Sequence, residues 1–123
     1  MAQSLAANRL VELPAITSIA RTLGAPKVSD FTLRHVQQLV HEVRVVSDAA
    51  AAKALFLVLE RTKYLVEPAA ACCLAAAEEQ RGQWNTDDSV VLLMCGGNVS
   101  GEDLASYWQR FMAAAETRAG SAC

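Results

Sequence analysis

A cysteine followed by two glycines and an asparagine, residues 95–98, is the first segment whose residue types could carry chemistry. It comes directly after residues 90–94 (VVLLM), a continuous apolar run that predicts a buried parallel strand. Because open α/β sheets bind ligands at the carboxyl ends of their strands, the thiol of Cys95 is expected at a ligand edge. Gly96 and Gly97 would let a ligand approach the backbone. The alternative is an inert buried cysteine beside an ordinary turn.

A glutamate stands at the end of a second apolar stretch. Residues 64–66 predict a short strand, and Glu67 and Pro68 then lead into an alanine-rich helix over residues 69–80. A carboxylate at a strand end, followed by a helix of small side chains, favours a helix packed against a flat ligand or another backbone. The alternative is a plain buried alanine helix whose positive N-terminal end attracts Glu67.

The other residue types that carry chemistry are scattered. His35 and His41 lie six residues apart on one predicted helix, a spacing that does not bring them together, so both are expected at the surface. The acidic pairs at residues 78–79 and 87–88 are adjacent in sequence and therefore point apart. The sequence contains no GxSxG, HExxH or P-loop motif. Residues 13–24 offer no catalytic group and predict a strand–turn–helix connection.

Strand-like and helix-like patterns alternate along the chain, which predicts an α/β fold in which a parallel sheet is flanked by helices. Asp30 and Asp48 are the predicted N-caps of the first two long helices. The predicted strands are residues 43–47, 64–66 and 90–94, and the predicted helices are residues 31–41, 49–61, 69–80 and 101–119. Residues 1–123 are expected to form one partial domain, with residues 120–123 as a disordered tail.

Composition narrows the classes of partner. The 123 residues include 11 Lys and Arg against 13 Asp and Glu, giving a net charge of -2. Such an unclustered, slightly acidic balance predicts no binding to nucleic acid or to a membrane surface. The chain is 53% hydrophobic but only 6% aromatic, so its core is built from small side chains. A mean hydropathy of +0.20 favours apolar surface that is covered by a partner or by the rest of a larger protein.

The cellular compartment is inferred from the targeting segments that the sequence lacks and from the spacing of its cysteines. The sequence shows neither a signal peptide nor a stretch long enough to span a bilayer. The four cysteines have no CxxC spacing, and two of them are adjacent. We therefore expect a cytoplasmic protein with reduced thiols at Cys72, Cys73, Cys95 and Cys123.

Four segments, taken together in their order and spacing, give the chain a clear resemblance to the carboxyl-terminal third of the pyridoxal-phosphate-dependent serine/threonine dehydratases. The resemblance covers about residues 5–111 and is greatest to the branch that degrades serine and threonine. It implies the C-terminal part of the large domain of a fold type II (tryptophan synthase β-like) enzyme. The segments are residues 13–25 (LPAITSIARTLGA), 45–48 (VVSD), 64–77 (YLVEPAAACCLAAA) and 90–100 (VVLLMCGGNVS).

The resemblance also implies an activity. The complete enzyme would be a lyase of amino-acid degradation that binds pyridoxal 5'-phosphate and a small amino-acid substrate. It would convert L-serine to pyruvate and ammonia, or L-threonine to 2-oxobutanoate and ammonia. A homo-oligomer in the cytoplasm is the implied assembly. The sequence does not distinguish a preference for serine from one for threonine.

Site roles follow from the same resemblance. Cys95 matches the family's serine or cysteine that hydrogen-bonds the pyridine nitrogen of the cofactor. A neutral thiol does not force that nitrogen to be protonated, which makes the ring a milder electron sink. Gly96 and Gly97 match the close backbone approach near the ring, and Glu67 matches a glutamate at the edge of the cofactor pocket.

A cation site is implied as well. The main-chain carbonyl groups of Leu23 and Ala25 match positions that help to bind a structural monovalent cation, potassium, in the serine-degrading branch. Carbonyl oxygens suit such a hard cation.

The chain also departs from the family pattern. None of its lysines, Lys27, Lys53 and Lys63, lies in the Ser-x-Lys motif of the family, and no glycine-rich phosphate loop is present. Residues 70–73 stand where the family usually has a glycine inside the helix. We assign no catalytic residue and expect the isolated chain to be inactive and to retain the cofactor weakly.

Two alternatives remain. The first is a non-catalytic interaction module that pairs with itself or with a dehydratase chain. The second is a fragment of a related pyridoxal-phosphate enzyme, either one of β-replacement or a serine racemase.

Overall fold

The computed structural model describes residues 1–113, which divide into two compact units, Met1–Val45 and the chain from Val46 onward. The helices of the first unit are α1 (Ala2–Ala7), a short 3₁₀ turn (Arg21–Leu23) and α2 (Asp30–Leu39). The helices of the second are α3 (Asp48–Thr62), α4 (Pro68–Glu79), α5 (Gly101–Tyr107) and a π-helical continuation (Trp108–Ala113). Within residues 1–113, no helix combines the length and the apolar character needed to cross a bilayer.

The first unit buries few apolar side chains (Ile19, Ala20 and Leu33), and side-chain hydrogen bonds also join its parts. The buried hydroxyl of Ser4 accepts the backbone N–H of Val11 at 3.0 Å. The Asn8 side chain accepts from Gln37 on α2 at 2.8 Å, which links the two helices. Within residues 13–24, where a strand–turn–helix connection is expected, the one helical element is the 3₁₀ turn Arg21–Leu23.

Both predicted N-caps are displaced by one residue. The serine before each aspartate caps the helix: Ser29 Oγ accepts from Thr32 N at 3.0 Å, and Ser47 Oγ accepts from Ala50 N at 3.1 Å. Asp30 and Asp48 are instead the first helical residues, where a negative charge favours the positive helix end. Serine and aspartate are about equally good N-caps. Where the two are adjacent in sequence, as at residues 29–30 and 47–48, the sequence pattern alone does not show which of them is the cap.

The core of the second unit lies between α3 and α4. Leu55 on α3 and Val66, two residues before α4, are both completely buried. Small residues let the two helices approach closely, and the T-shaped contact of Phe56 with Trp108, 5.0 Å between ring centroids, extends the packing to the π-helix. The buried cluster comprises Ala54, Leu55, Val58, Val66, Ala70, Ala71 and Ala75.

The predicted parallel sheet is not confirmed, because no residue of the described range 1–113 is in a β-strand. Along residues 91–96 exposure alternates, with Leu92, Met94 and Gly96 half-buried and their neighbours exposed, the two-residue period of an extended chain. A sheet needs a ladder of bonds to neighbouring strands. A single backbone hydrogen bond, from Glu67 N to Gly96 O, joins this segment to the residue that follows the other predicted strand, residues 64–66.

The cap at the start of α3 gives a first prediction. Replacing Ser47 with Ala removes the acceptor for Ala50 N and should lower the free energy of unfolding by about 0.5–2 kcal/mol. Urea unfolding followed by circular dichroism measures it. Ser89→Ala, at an exposed position outside any helix, is the matched control and should change little. Equal losses in the two variants would contradict the capping role.

Candidate functional site

Two chain segments meet at the start of α4. The backbone N–H of Glu67 donates to the carbonyl of Gly96 at 2.9 Å, which holds the Cys95–Gly96–Gly97 segment beside that helix end. Val99 N then donates to Gly97 O at 2.8 Å and turns the chain. A capping box between Ser100 and Asp103 begins α5 directly afterwards. The segment is thus fixed on both sides by helix starts.

Glu67 is the buried charge of this site, with 8% of its surface exposed. It occupies the N-cap position of α4, where the positive end of the helix favours a carboxylate. Among the described residues, Ser4 and Glu67 are the buried polar or charged ones. A Cβ on Gly96 would collide with the Glu67 carboxylate, so the side chain lies directly against the glycine backbone. A side chain at position 96 would therefore require the Glu67 carboxylate to move.

Gly97 has a different constraint. A Cβ at this position would lie 3.0 Å from the carbonyl oxygen of Leu65, closer than most such contacts. Leu65 is a neighbour of the site that the sequence did not reveal, because it contributes a backbone carbonyl that any residue type would provide. The glycine pair thus satisfies the packing of this chain, whether or not a ligand also approaches it.

Cys95 is exposed and its thiol is free. Cys95 is therefore not the buried cysteine of the alternative, and its role stays a prediction. Met94, next to it, packs instead against the buried cluster of α3 and α4. The alternation turns Cys95 to the opposite side, away from that cluster.

The adjacent cysteines of α4 are different in kind. Cys73 Sγ lies 3.0 Å from Ala70 O and 3.5 Å from Leu93 O, so its single S–H has two carbonyl acceptors within reach, and it lies 3.7 Å from the sulfur of Met94. Burial raises the pKa of Cys73, as does the nearby Cys95. Burial also raises the pKa of Cys72, with smaller contributions from Cys73 and Asp48. Protonated, partly buried thiols of this kind are structural.

These environments predict an order of alkylation. At pH 8, in a Cys123→Ser background, iodoacetamide should modify Cys95 first because it is exposed. Cys72 and Cys73 should follow slowly, and their rates should rise at higher pH because their raised pKa values delay thiolate formation. Peptide mass spectrometry over time measures the order. Earlier modification of Cys72 or Cys73 would contradict the placement.

The contact between Gly96 and Glu67 gives another prediction. Gly96→Ala should force the Glu67 side chain to move and lower the free energy of unfolding by about 1–3 kcal/mol. Gly82→Ala is the control, since a Cβ there meets nothing within 4 Å. In a Glu67→Ala background the loss should shrink, because the colliding carboxylate is gone. An unchanged loss in that background would show that Glu67 is not the cause.

The remaining predicted site residues lie elsewhere. His35 and His41 are exposed, as expected, and His35 Nδ1 lies 2.8 Å from the carbonyl of Phe31. Leu23 and Ala25 lie exposed around Gly24, where the 3₁₀ turn ends, and the potassium site at their carbonyl groups stays a prediction. Residues 1–113 contain no group of three or more His, Cys, Asp or Glu side chains arranged to hold a metal.

Comparison with known proteins identifies the family. The family model described as pyridoxal-phosphate dependent enzyme matches residues 1–96, a range that includes Glu67, Cys95 and Gly96. This chain belongs to that family. A serine dehydratase-like protein of Rattus norvegicus is 40% identical over 103 residues, covering 77% of this chain and 31% of the relative. The chain thus spans about a third of the length of such relatives.

Two solved structures have a similar fold. A fungal L-serine ammonia-lyase from Rhizomucor miehei superposes with a TM-score of 0.73 at 31% identity, covering 90% of this chain and 37% of that one. Maize serine racemase superposes with a TM-score of 0.72 at 37% identity, covering 88% of this chain and 34% of that one. The chain therefore has the fold of one part of these enzymes.

Proposed function

We propose that this chain is part of the cofactor-binding domain of a pyridoxal-phosphate-dependent L-serine/L-threonine ammonia-lyase. The observation that carries the proposal is the exposed thiol of Cys95, next to Gly96 and the buried Glu67, in a chain of this family. The similarity to a serine dehydratase-like protein and to an L-serine ammonia-lyase supports this choice of reaction.

The residues present suit one side of the cofactor ring. Cys95 offers a neutral thiol, a weak donor and acceptor, to the pyridine nitrogen. It does not fix a proton on that nitrogen in the way that a carboxylate would. Pyridoxal phosphate, when bound, supplies the electron sink for loss of the α-proton and departure of the β-hydroxyl group.

Glu67 acts as a positioning residue in this proposal. Its N–H holds the carbonyl of Gly96, and its carboxylate lies against the same glycine, so it fixes the backbone that follows Cys95. The rigid start of α4 in turn fixes Glu67. The thiol is therefore held at a defined position. A hydrogen bond to the nitrogen of a bound aromatic ring needs such a position, because hydrogen bonds depend on distance and angle.

Serine racemase is a second candidate, because the maize enzyme is 37% identical over the superposed part. Racemisation and β-elimination share the removal of the α-proton and differ in whether the hydroxyl group leaves. The candidates are therefore separated by their products.

The test joins this chain to the part of the Rhizomucor miehei enzyme that lies outside its match to this chain. The joined protein should form pyruvate from L-serine or 2-oxobutanoate from L-threonine when pyridoxal phosphate is added. The isolated chain should form neither and should lose the cofactor on gel filtration. D-Serine as the main product would favour the racemase instead. A folded joined protein without either activity would overturn the proposal.

A further inference from the structure

Two sulfur atoms of different kinds meet where α4 packs against the extended segment of residues 91–96. The thiol sulfur of Cys73, on α4, lies 3.7 Å from the thioether sulfur of Met94. Both residues are half-buried, so the pair is held by packing and remains partly accessible to solvent. The proposed function relies on Cys95, Gly96 and Glu67 and gives this sulfur pair no role.

The distance between the two sulfur atoms suits a shared metal ion. Two sulfurs that each bind one tetrahedral metal at about 2.3 Å lie about 3.8 Å apart. The observed separation of Cys73 Sγ and Met94 Sδ is 3.7 Å. A plain packing contact of two sulfurs gives a similar distance, so the chemical type of the ligands has to distinguish the two cases.

The surroundings of both sulfurs hold them in place. The Cys73 thiol has two carbonyl acceptors within reach, Ala70 O at 3.0 Å and Leu93 O at 3.5 Å. Met94 packs against the buried cluster between α3 and α4. A pair that is already ordered loses less conformational freedom when it binds a ligand than two mobile side chains would.

The two ligand types select a soft metal ion. A thiolate together with a thioether favours Cu(I) over hard cations, which prefer oxygen ligands. A structural zinc site needs four ligands, usually from cysteine and histidine. Within residues 1–113, no group of three or more His, Cys, Asp or Glu side chains is arranged in that way. The sulfur pair therefore suits Cu(I) better than Zn²⁺.

We propose that Cys73 Sγ and Met94 Sδ together bind one Cu(I) ion, whose remaining coordination is completed by a small molecule from solvent. The ion replaces the proton of the Cys73 thiol, which is released to solvent, and no oxidation state changes. The bound ion ties α4 to the segment that leads into Cys95. This proposal does not rest on the proposed function, since neither sulfur belongs to the candidate cofactor site.

The test titrates Cu(I) into a form of this chain in which Cys73 is the one remaining thiol. That form carries Cys72→Ser, Cys95→Ser and Cys123→Ser. The titration is done without oxygen, in buffer that contains acetonitrile to keep the copper reduced. One equivalent should bind, seen as the ultraviolet absorbance of the copper–thiolate bond. Failure to bind one equivalent would overturn the proposal.

Variants at methionine positions then separate the site from a lone thiol. Met94→Leu should weaken Cu(I) binding roughly 10-fold or more, because one of the two protein ligands is lost. Met112→Leu is the matched control, since Met112 is also half-buried but lies on the π-helical segment, and it should leave the affinity unchanged. Equal affinities of Met94→Leu and its parent would show that the sulfur contact is packing only.

A second measurement covers the case in which circular dichroism shows Met94→Leu to be unfolded. The methionines of the Met112→Leu form are replaced by selenomethionine, and X-ray absorption is recorded at the copper edge. One selenium neighbour should be bound to copper, and its absence would overturn the site. Keto-acid formation by the joined protein plays no part in these readouts, so either proposal can fail while the other stands.

Discussion

Leu55→Ala should lower the free energy of unfolding of the second unit by about 2–5 kcal/mol. Leu55 is completely buried between α3 and α4, and the rest of its buried cluster is four alanines and two valines. Small neighbours on rigid helices cannot move far enough to fill the space that a shortened side chain leaves. The loss should therefore include both the transfer of the missing methyl groups and a cavity.

Urea unfolding followed at the far-ultraviolet helix signal measures this effect. Leu39→Ala is the matched control, because the same atoms are removed from a side chain that is 77% exposed, and it should cost little. Comparable losses at Leu55 and Leu39 would show that α3 and α4 do not form the core described. Leu55→Met, which nearly conserves volume, should recover most of the stability.

Cys95→Ala should lower kcat/KM of the joined protein for L-serine about 10- to 100-fold, because it removes the proposed hydrogen-bond partner of the cofactor nitrogen. Cys95→Ser keeps a neutral hydrogen-bonding group and should retain most of the activity. Cys72→Ala removes a different, partly buried thiol on α4, so it serves as the control.

Steady-state kinetics with saturating pyridoxal phosphate measures these three variants. Cys95→Ala should also weaken the retention of the cofactor, a readout that does not depend on turnover. Equal activity of Cys95→Ala and the parent protein would remove Cys95 from the site. An equal loss in Cys72→Ala would indicate a general effect on packing instead.

The helices could be predicted because their signals are local. Proline at the first position and an unbroken alanine-rich run predict α4 to within one residue of Pro68–Glu79. The start of α5 at Gly101 is also as predicted. Its expected extension to residue 119 and the tail at residues 120–123 lie outside the described residues.

The sheet could not be predicted reliably, because a strand depends on partners that are distant in sequence. Residues 90–94 have the composition of a strand buried on both faces, yet Val91 and Leu93 are exposed. Helices cover one side of the segment, and a single backbone bond reaches it from Glu67. The composition of a segment indicates which surroundings it would suit, but only the structure shows which residues actually pack against it.

The site was predictable where a side-chain type carried the signal. Gly96 and Glu67 lie side by side, since the two segments end next to each other, and the cofactor roles of Cys95, Gly96 and Glu67 stay predictions. The carbonyl of Leu65 beside Gly97 had no signal, because it is backbone. The distinction between Cys95 and Cys73 also needed the structure, since the exposure of a thiol depends on the packing around it.

Protection of Cys95 from alkylation tests most directly whether its thiol faces the cofactor ring. The joined protein is treated with iodoacetamide with and without pyridoxal phosphate, and the modified peptides are quantified by mass spectrometry. If the ring lies on Cys95, the cofactor should slow the modification of Cys95 and leave that of Cys72 unchanged. If Cys95 is alkylated at the same rate with and without pyridoxal phosphate, its thiol does not face the cofactor ring.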